Sequence, residues 1–128
     1  MAIDIPLLSR FCEAPGAPGF EIEIRELVLK ELKGLADSVR VDNLGNVIAL
    51  KKGKSSKKKS MVAAHMDEIG FIVTHIDDDG FIRFNPLGGF DPKTLTSQRI
   101  IVHGKKDLIG VMGSKPVHIM TCLLYTSP

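Results

Sequence analysis

The sequence predicts an α/β segment that gives way, at about Thr74, to an all-β segment of short strands. Three features carry that reading. Apolar residues recur at helical spacing from Phe20 to about Leu35, the pattern turns to alternation after Gly34, and from Gly70 onward only hairpin-like runs follow. At 128 residues and 14.0 kDa the chain has room for one ordinary domain with its own core, not for two full ones.

Asp4 is placed to cap a short helix through Phe11, with Leu7, Leu8 and Phe11 on one side. The glycines and prolines of "EAPGAPG" stop it. The second helix, "FEIEIRELVLKELKGL", aligns Ile24, Leu27, Val28, Leu32 and Leu35 on one face, and its charges follow the macrodipole, with Glu21, Glu23 and Glu26 early and Lys30 and Lys33 late. "SVRVDNLGNVIAL" then reads as two short strands about a turn at Asn43 to Asn46. "SMVAAHM" has the small and apolar residues of a strand covered on both faces, with His65 at its C-terminal end. Beyond it, "GFIVTHIDDDGFIRFNPLGGF" reads as a hairpin turning at Asp78 to Gly80, and "QRIIVHGKKDLIGVMGS" as a second turning at Lys105 to Asp107. The acids of "DDDG" are consecutive, whereas a calcium loop needs them at alternate positions, so a polar turn is expected there. The final "TCLLYTSP" fits neither pattern.

Composition narrows the function. Aromatic residues make up 5% of the chain and Trp is absent, which argues against a stacking surface for sugars or bases. The net charge is +2, but "KKGKSSKKKS" holds six lysines, and setting them aside takes the balance from +2 to −4. The run has Gly and Ser between its lysines and no aromatic interleaving, so a solvated loop tip is preferred to a polyanion contact, and no nucleic-acid partner is expected. Cys12 and Cys122 stand far apart and in no metal-binding or redox spacing. The first residues lack a basic leader and no apolar run approaches the roughly 18 residues of a membrane span. A cytoplasmic protein with reduced thiols and no membrane partner is the expectation.

The chemistry concentrates at "VAAHMDEIG". His65 at a strand tip is well placed for a metal ligand, because ligands of open α/β sheets gather at that edge. Asp67, two residues on, falls on the same side of an extended chain and can accept the imidazole's other N–H, fixing its tautomer. Glu68 falls on the opposite side and is expected to pair locally. From spacing alone the plainer reading, a strand-end histidine hydrogen-bonded to a loop aspartate, is favoured, since His-x-Asp is common by chance. His75, His103 and His118 have no partner at ligand spacing and read as structural or surface residues.

A resemblance changes that balance. "APGAPGFE", "DNLGNVIA", "AHMDEIGFIV", "NPLGGFDPKTL" and "GVMGSKPVHI" follow in the order found in the N-terminal part of the glutamyl and deblocking aminopeptidases. These are dinuclear metallopeptidases, some of which carry an older endoglucanase label, and the chain resembles them from about Leu7 to Met120. The resemblance implies an α/β catalytic domain interrupted by a smaller β-rich domain used in subunit association. Residues 1–74 would be the N-terminal part of the first, 75–120 an incomplete, barrel-like part of the second, and 121–128 a non-native tail resembling translated adapter or vector sequence.

It also implies removal of N-terminal residues from peptide substrates with two zinc or cobalt ions and a bridging water. Dimers building a homo-oligomeric dodecamer would be the assembly. His65 is similar to the family's first metal ligand and Asp67 to the catalytic acid that orients it. The family's bridging aspartate, its base glutamate and the remaining ligands lie beyond the β insert, so the isolated chain is expected to be inactive. Val117 replaces a second proline usual in "KPVHI", a mild departure. Two other readings stand beside this one: a non-catalytic folding and association module, and a related metal-dependent deacylase sharing the His-x-Asp element. The insert motifs favour the aminopeptidase. Glycan hydrolysis fits poorly, for want of a facing carboxylate pair on a sugar-binding surface.

Overall fold

A computed structural model describes residues 3–55, 57–89 and 91–114 of the chain. The expectations for Val117, His118, Cys122 and the segment 121–128 lie outside the described residues. Two compact units divide at Gly88 and Gly89: Met1–Gly88 and Gly89–Pro128. Among the described residues the elements are helices and small antiparallel sheets, a partial α/β arrangement followed by β structure.

The first unit opens with α1 (Ile5–Glu13), capped by the Asp4 carboxylate, which accepts the Leu7 N–H at 3.0 Å. Pro6 sits in the first turn, where a missing N–H costs nothing. Helix α2 (Ile22–Leu32) is shorter at both ends than the periodicity suggests. Its C-terminus is set by Gly34, which takes φ +80, a left-handed conformation open to glycine at no steric cost. Leu35 therefore falls past the helix and is 66% exposed, while Ile24 at 4% is the one fully buried member of the expected face. Leu27, Val28 and Leu32 are half-buried. Arg10 of α1 meets Glu31 of α2 at 3.0 Å.

Strands β1 (Ser38–Val41) and β2 (Val47–Leu50) pair antiparallel from Ser38↔Leu50 to Val41↔Val47, and α2 packs against β2. Their turn is tied by one side chain. Asp42 Oδ1 accepts the N–H groups of Leu44 (3.0 Å) and Asn46 (2.9 Å), and its Oδ2 accepts the Asn46 side-chain amide (3.0 Å). All six lysines of the loop that follows are exposed.

The expected strand at "SMVAAHM" is not formed. Residues 60–69 carry no ladder, and Met61 and Val62 are 89% and 96% exposed. A strand exists only through its hydrogen-bonded neighbours, and among the described residues none pairs with this segment. His65 thus lies in irregular chain rather than at a strand tip.

Strands β3 (Gly70–Ile76) and β4 (Ile82–Leu87) form the next hairpin, with a register shift between Val73 and His75 that leaves Thr74 as the extra residue. Phe71 and Phe84 meet edge-on at 4.9 Å between ring centroids. β3 is bonded to β4 along its length, which keeps the whole hairpin in the first compact unit.

In the second unit, Asp91 caps a 3₁₀ turn (Pro92–Thr94), and β5 (Arg99–Val102) pairs antiparallel with β6 (Leu108–Val111). Two further bonds extend the pairing: Met112 N–H donates to Gln98 O and Ser97 N–H to Met112 O, each at 2.9 Å. Both hairpins turn where the sequence places them.

The bonds at Asp42, chiefly that from the Asn46 side chain, hold its carboxyl below the ordinary aspartate value of 3.8. A depressed pKa adds stability that is present above the unfolded value and lost as the pH falls through the folded one. In an acid titration followed by NMR, the Asn46 side-chain amide is expected to move with a midpoint below 3.8. A midpoint at or above 3.8 counts against the three-bond turn.

Candidate functional site

The loop Ala14–Gly19, between the two helices, and the segment Ala64–Gly70 are joined by a reciprocal pair of bonds. Glu68 N–H donates to the Gly16 carbonyl at 2.9 Å, and Gly16 N–H donates to Glu68 Oε1 at 3.2 Å. The approach on either side is close. A Cβ at Gly16 would lie 2.9 Å from Ile24 Cγ2 and 3.3 Å from the Met66 carbonyl, and one at Gly70 would lie 2.5 Å from Ala17 Cβ. Residues 66, 68 and 70 therefore meet the loop in alternation, as residues on one face of a strand would. His65 and Asp67 take the intervening positions.

At those positions His65 Nδ1 lies 3.0 Å from Asp67 Oδ1 and 3.0 Å from the Asp67 carbonyl. Both partners are acceptors, so Nδ1 is the donor and the neutral ring keeps its Nε2 lone pair free. The His65 side chain is 84% exposed and that of Asp67 43%. His65 itself lines a largely apolar cleft of about 330 Å³, formed with Phe11 of α1, Ile24 and Val28 of α2, Val47 of β2, Ala64 and Met66.

Glu68 departs from the sequence reading. It turns away from His65 as expected, but its partner is Gly16, 52 residues earlier, rather than a near neighbour. The signal was divided between two motifs, the glycines of "APGAPGFE" and the acid of "HMDEIG", and neither alone names the other. His75 lies opposite Arg83 in the β3–β4 ladder. His103 Nδ1 meets Asp107 Oδ1 at 3.0 Å, the same pairing found at His65, but across a hairpin turn. Distance alone does not separate the two histidines.

Tested as a metal site, the residues fit in part. The free Nε2 of a histidine held by a carboxylate is a well-oriented donor. A catalytic zinc takes about three protein ligands, however, and among the described residues no group of three or more His, Cys, Asp or Glu could hold a metal ion. The described residues by themselves do not make a metal centre.

The chain belongs to the M42 glutamyl aminopeptidase family, whose model matches residues 45–123. It is 48% identical over 119 residues to the lysyl aminopeptidase of Pyrococcus furiosus, a match that covers 91% of this chain and 34% of that protein. Its fold superposes on a TET aminopeptidase from a marine sediment Thaumarchaeota archaeon with a TM-score of 0.86 and 35% identity, covering 97% of this chain and 34% of the other. It superposes on the Pyrococcus horikoshii TET1 peptidase with a TM-score of 0.75 and 39% identity, covering 90% and 34%. The chain thus spans about a third of the length of the relatives it matches.

The close approach at Gly70 leaves no room for a side chain, because the nearest atom is the Cβ of Ala17 rather than the end of a flexible group. Gly70→Ala is expected to destabilise the first unit by about 1–3 kcal/mol, the usual cost of overpacking. Urea denaturation checks it, and a midpoint equal to the wild type would mean the two segments are not in contact.

Proposed function

We propose that this chain is a segment of a metal-dependent aminopeptidase that removes N-terminal residues from peptides, with His65 as one metal ligand and Asp67 as the acid that orients it. The observation that carries the reading is the Nδ1 bond to Asp67, which leaves Nε2 free beside an apolar cleft in a chain of this family. Residues 1–74 are read as part of the catalytic domain, 75–120 as part of an insert used in subunit association, and 121–128 as a non-native tail. Two zinc or cobalt ions would need further ligands, and a general base, from outside the described residues. The 128-residue chain is therefore read as inactive alone.

The TET1 peptidase of Pyrococcus horikoshii can assemble into a tetrahedron or a large octahedral shell. By that likeness the whole protein is read as a homo-oligomer, with dimers as its units. Among the described residues no helix is long and apolar enough to cross a membrane, and the whole protein is read as cytoplasmic.

The test is a chimera in which this chain's residues 1–114 replace the matching stretch of the Pyrococcus furiosus lysyl aminopeptidase. Hydrolysis of aminoacyl p-nitroanilides is expected from the chimera with zinc or cobalt, and none from the 128-residue chain under the same conditions. His65→Ala in the chimera is expected to abolish turnover by removing a ligand. Asp67→Asn is expected to lower activity or metal affinity by about 10–100-fold, since Asn can still accept the imidazole N–H but supplies no charge. Wild-type rate and metal content in His65→Ala would overturn the ligand role, and the same in Asp67→Asn would overturn the orienting role.

A further inference from the structure

We infer that Glu68 is a positioning residue: its carboxylate and its own main-chain N–H clasp Gly16 from both sides and so fix the direction in which His65 and Asp67 project. Three observations support this. Glu68 Oε1 accepts the N–H of Gly16 while Gly16 O accepts the N–H of Glu68, which closes a ring of two hydrogen bonds between segments 52 residues apart. Gly16 and Gly70 are both buried; a methyl group at Gly70 would collide with Ala17 of the opposite segment, and one at Gly16 would lie 2.9 Å from Ile24 of α2 and 3.3 Å from the Met66 carbonyl. The chain around His65 has no strand ladder among the described residues, so the clasp is what holds its backbone in place.

The clasp works through alternation. With residues 66, 68 and 70 held against Gly16 and Ala17, a turn of one residue about the chain would carry His65 and Asp67 into the loop. Glu68 thereby acts on the pair without touching it. What it supplies is an acceptor at a given reach, not a charge. This rests on the reading of His65 and Asp67 as the functional pair, but it is tested without metal or turnover, so that its failure and that of the ligand role are told apart.

The experiment compares Glu68→Gln, Glu68→Asp and Glu68→Ala in the full chain by NMR. Amide hydrogen exchange is read at Gly16, and proton–nitrogen correlation through the His65 ring shows which nitrogen carries the proton. Gln keeps an oxygen at the same reach, so wild-type exchange and an Nδ1-protonated ring are expected. Asp keeps the charge but is one methylene short, and Ala keeps neither. For both, Gly16 exchange is expected to quicken by about tenfold, the scale of one lost hydrogen bond, and the His65 ring to relax to a mixture of tautomers. If Ala proves unfolded, the contrast between Gln and Asp decides the matter. Glu68→Asp matching the wild type while Glu68→Gln does not would show that charge is what counts and overturn the proposal. Unchanged His65 tautomer in Glu68→Asp and Glu68→Ala would overturn it equally, leaving Glu68 with a purely structural role.

Discussion

The first unit depends on the two hydrogen bonds between Gly16 and Glu68. They join a loop from the helical region to the segment that leads into β3, and no other bond between the described residues spans those two stretches. Either bond alone is worth about 0.5–1.5 kcal/mol net. They are reinforced by close packing, because loop and segment approach so closely that Gly70 admits no side chain against Ala17. The site chemistry follows from this constraint: with the even-numbered residues engaged, the odd-numbered His65 and Asp67 are left to meet each other.

What the sequence made legible was local. The Asp4 cap, the helical face of Ile24, the Asp42 to Asn46 turn and the hairpins all follow from residues within a few positions of each other, where capping, turn chemistry and periodicity act directly. The helix end at Leu32 was less legible, because apolar spacing continues to Leu35 while Gly34 ends the helix. "SMVAAHM" has the composition of a covered strand. Composition records what a segment is suited to, and pairing depends on neighbours that may lie anywhere in the chain. The partner of Glu68 was illegible for the same reason, being 52 residues away. The bond between His65 and Asp67, two residues apart, was legible in the sequence.

The exposed apolar residues agree with a chain about a third as long as its relatives. Ile24 and Met112 are the buried hydrophobic side chains among the described residues, whereas Leu44, Met61, Val62, Phe81 and Ile109 are each more than two-thirds exposed. Isolated exposed apolar residues are common on any protein surface. Adjacent Met61 and Val62, however, belong to a segment whose composition suits burial on both faces, and they lead directly to His65.

The order of residues in "HMDEIG" can now be understood physically. Residues two apart fall on the same side of an extended chain, and Asp67, two places on, meets His65 at 3.0 Å. The opposite side must then grip something that keeps the chain from rotating. Glu68 and Gly70 do so, one through an acceptor and the other through the absence of a side chain. The same His–Asp distance recurs at His103 and Asp107, where a hairpin turn brings the two together over four residues. What distinguishes His65 is therefore not the bond to its aspartate but the anchoring of the chain just beyond the pair, at Glu68 and Gly70.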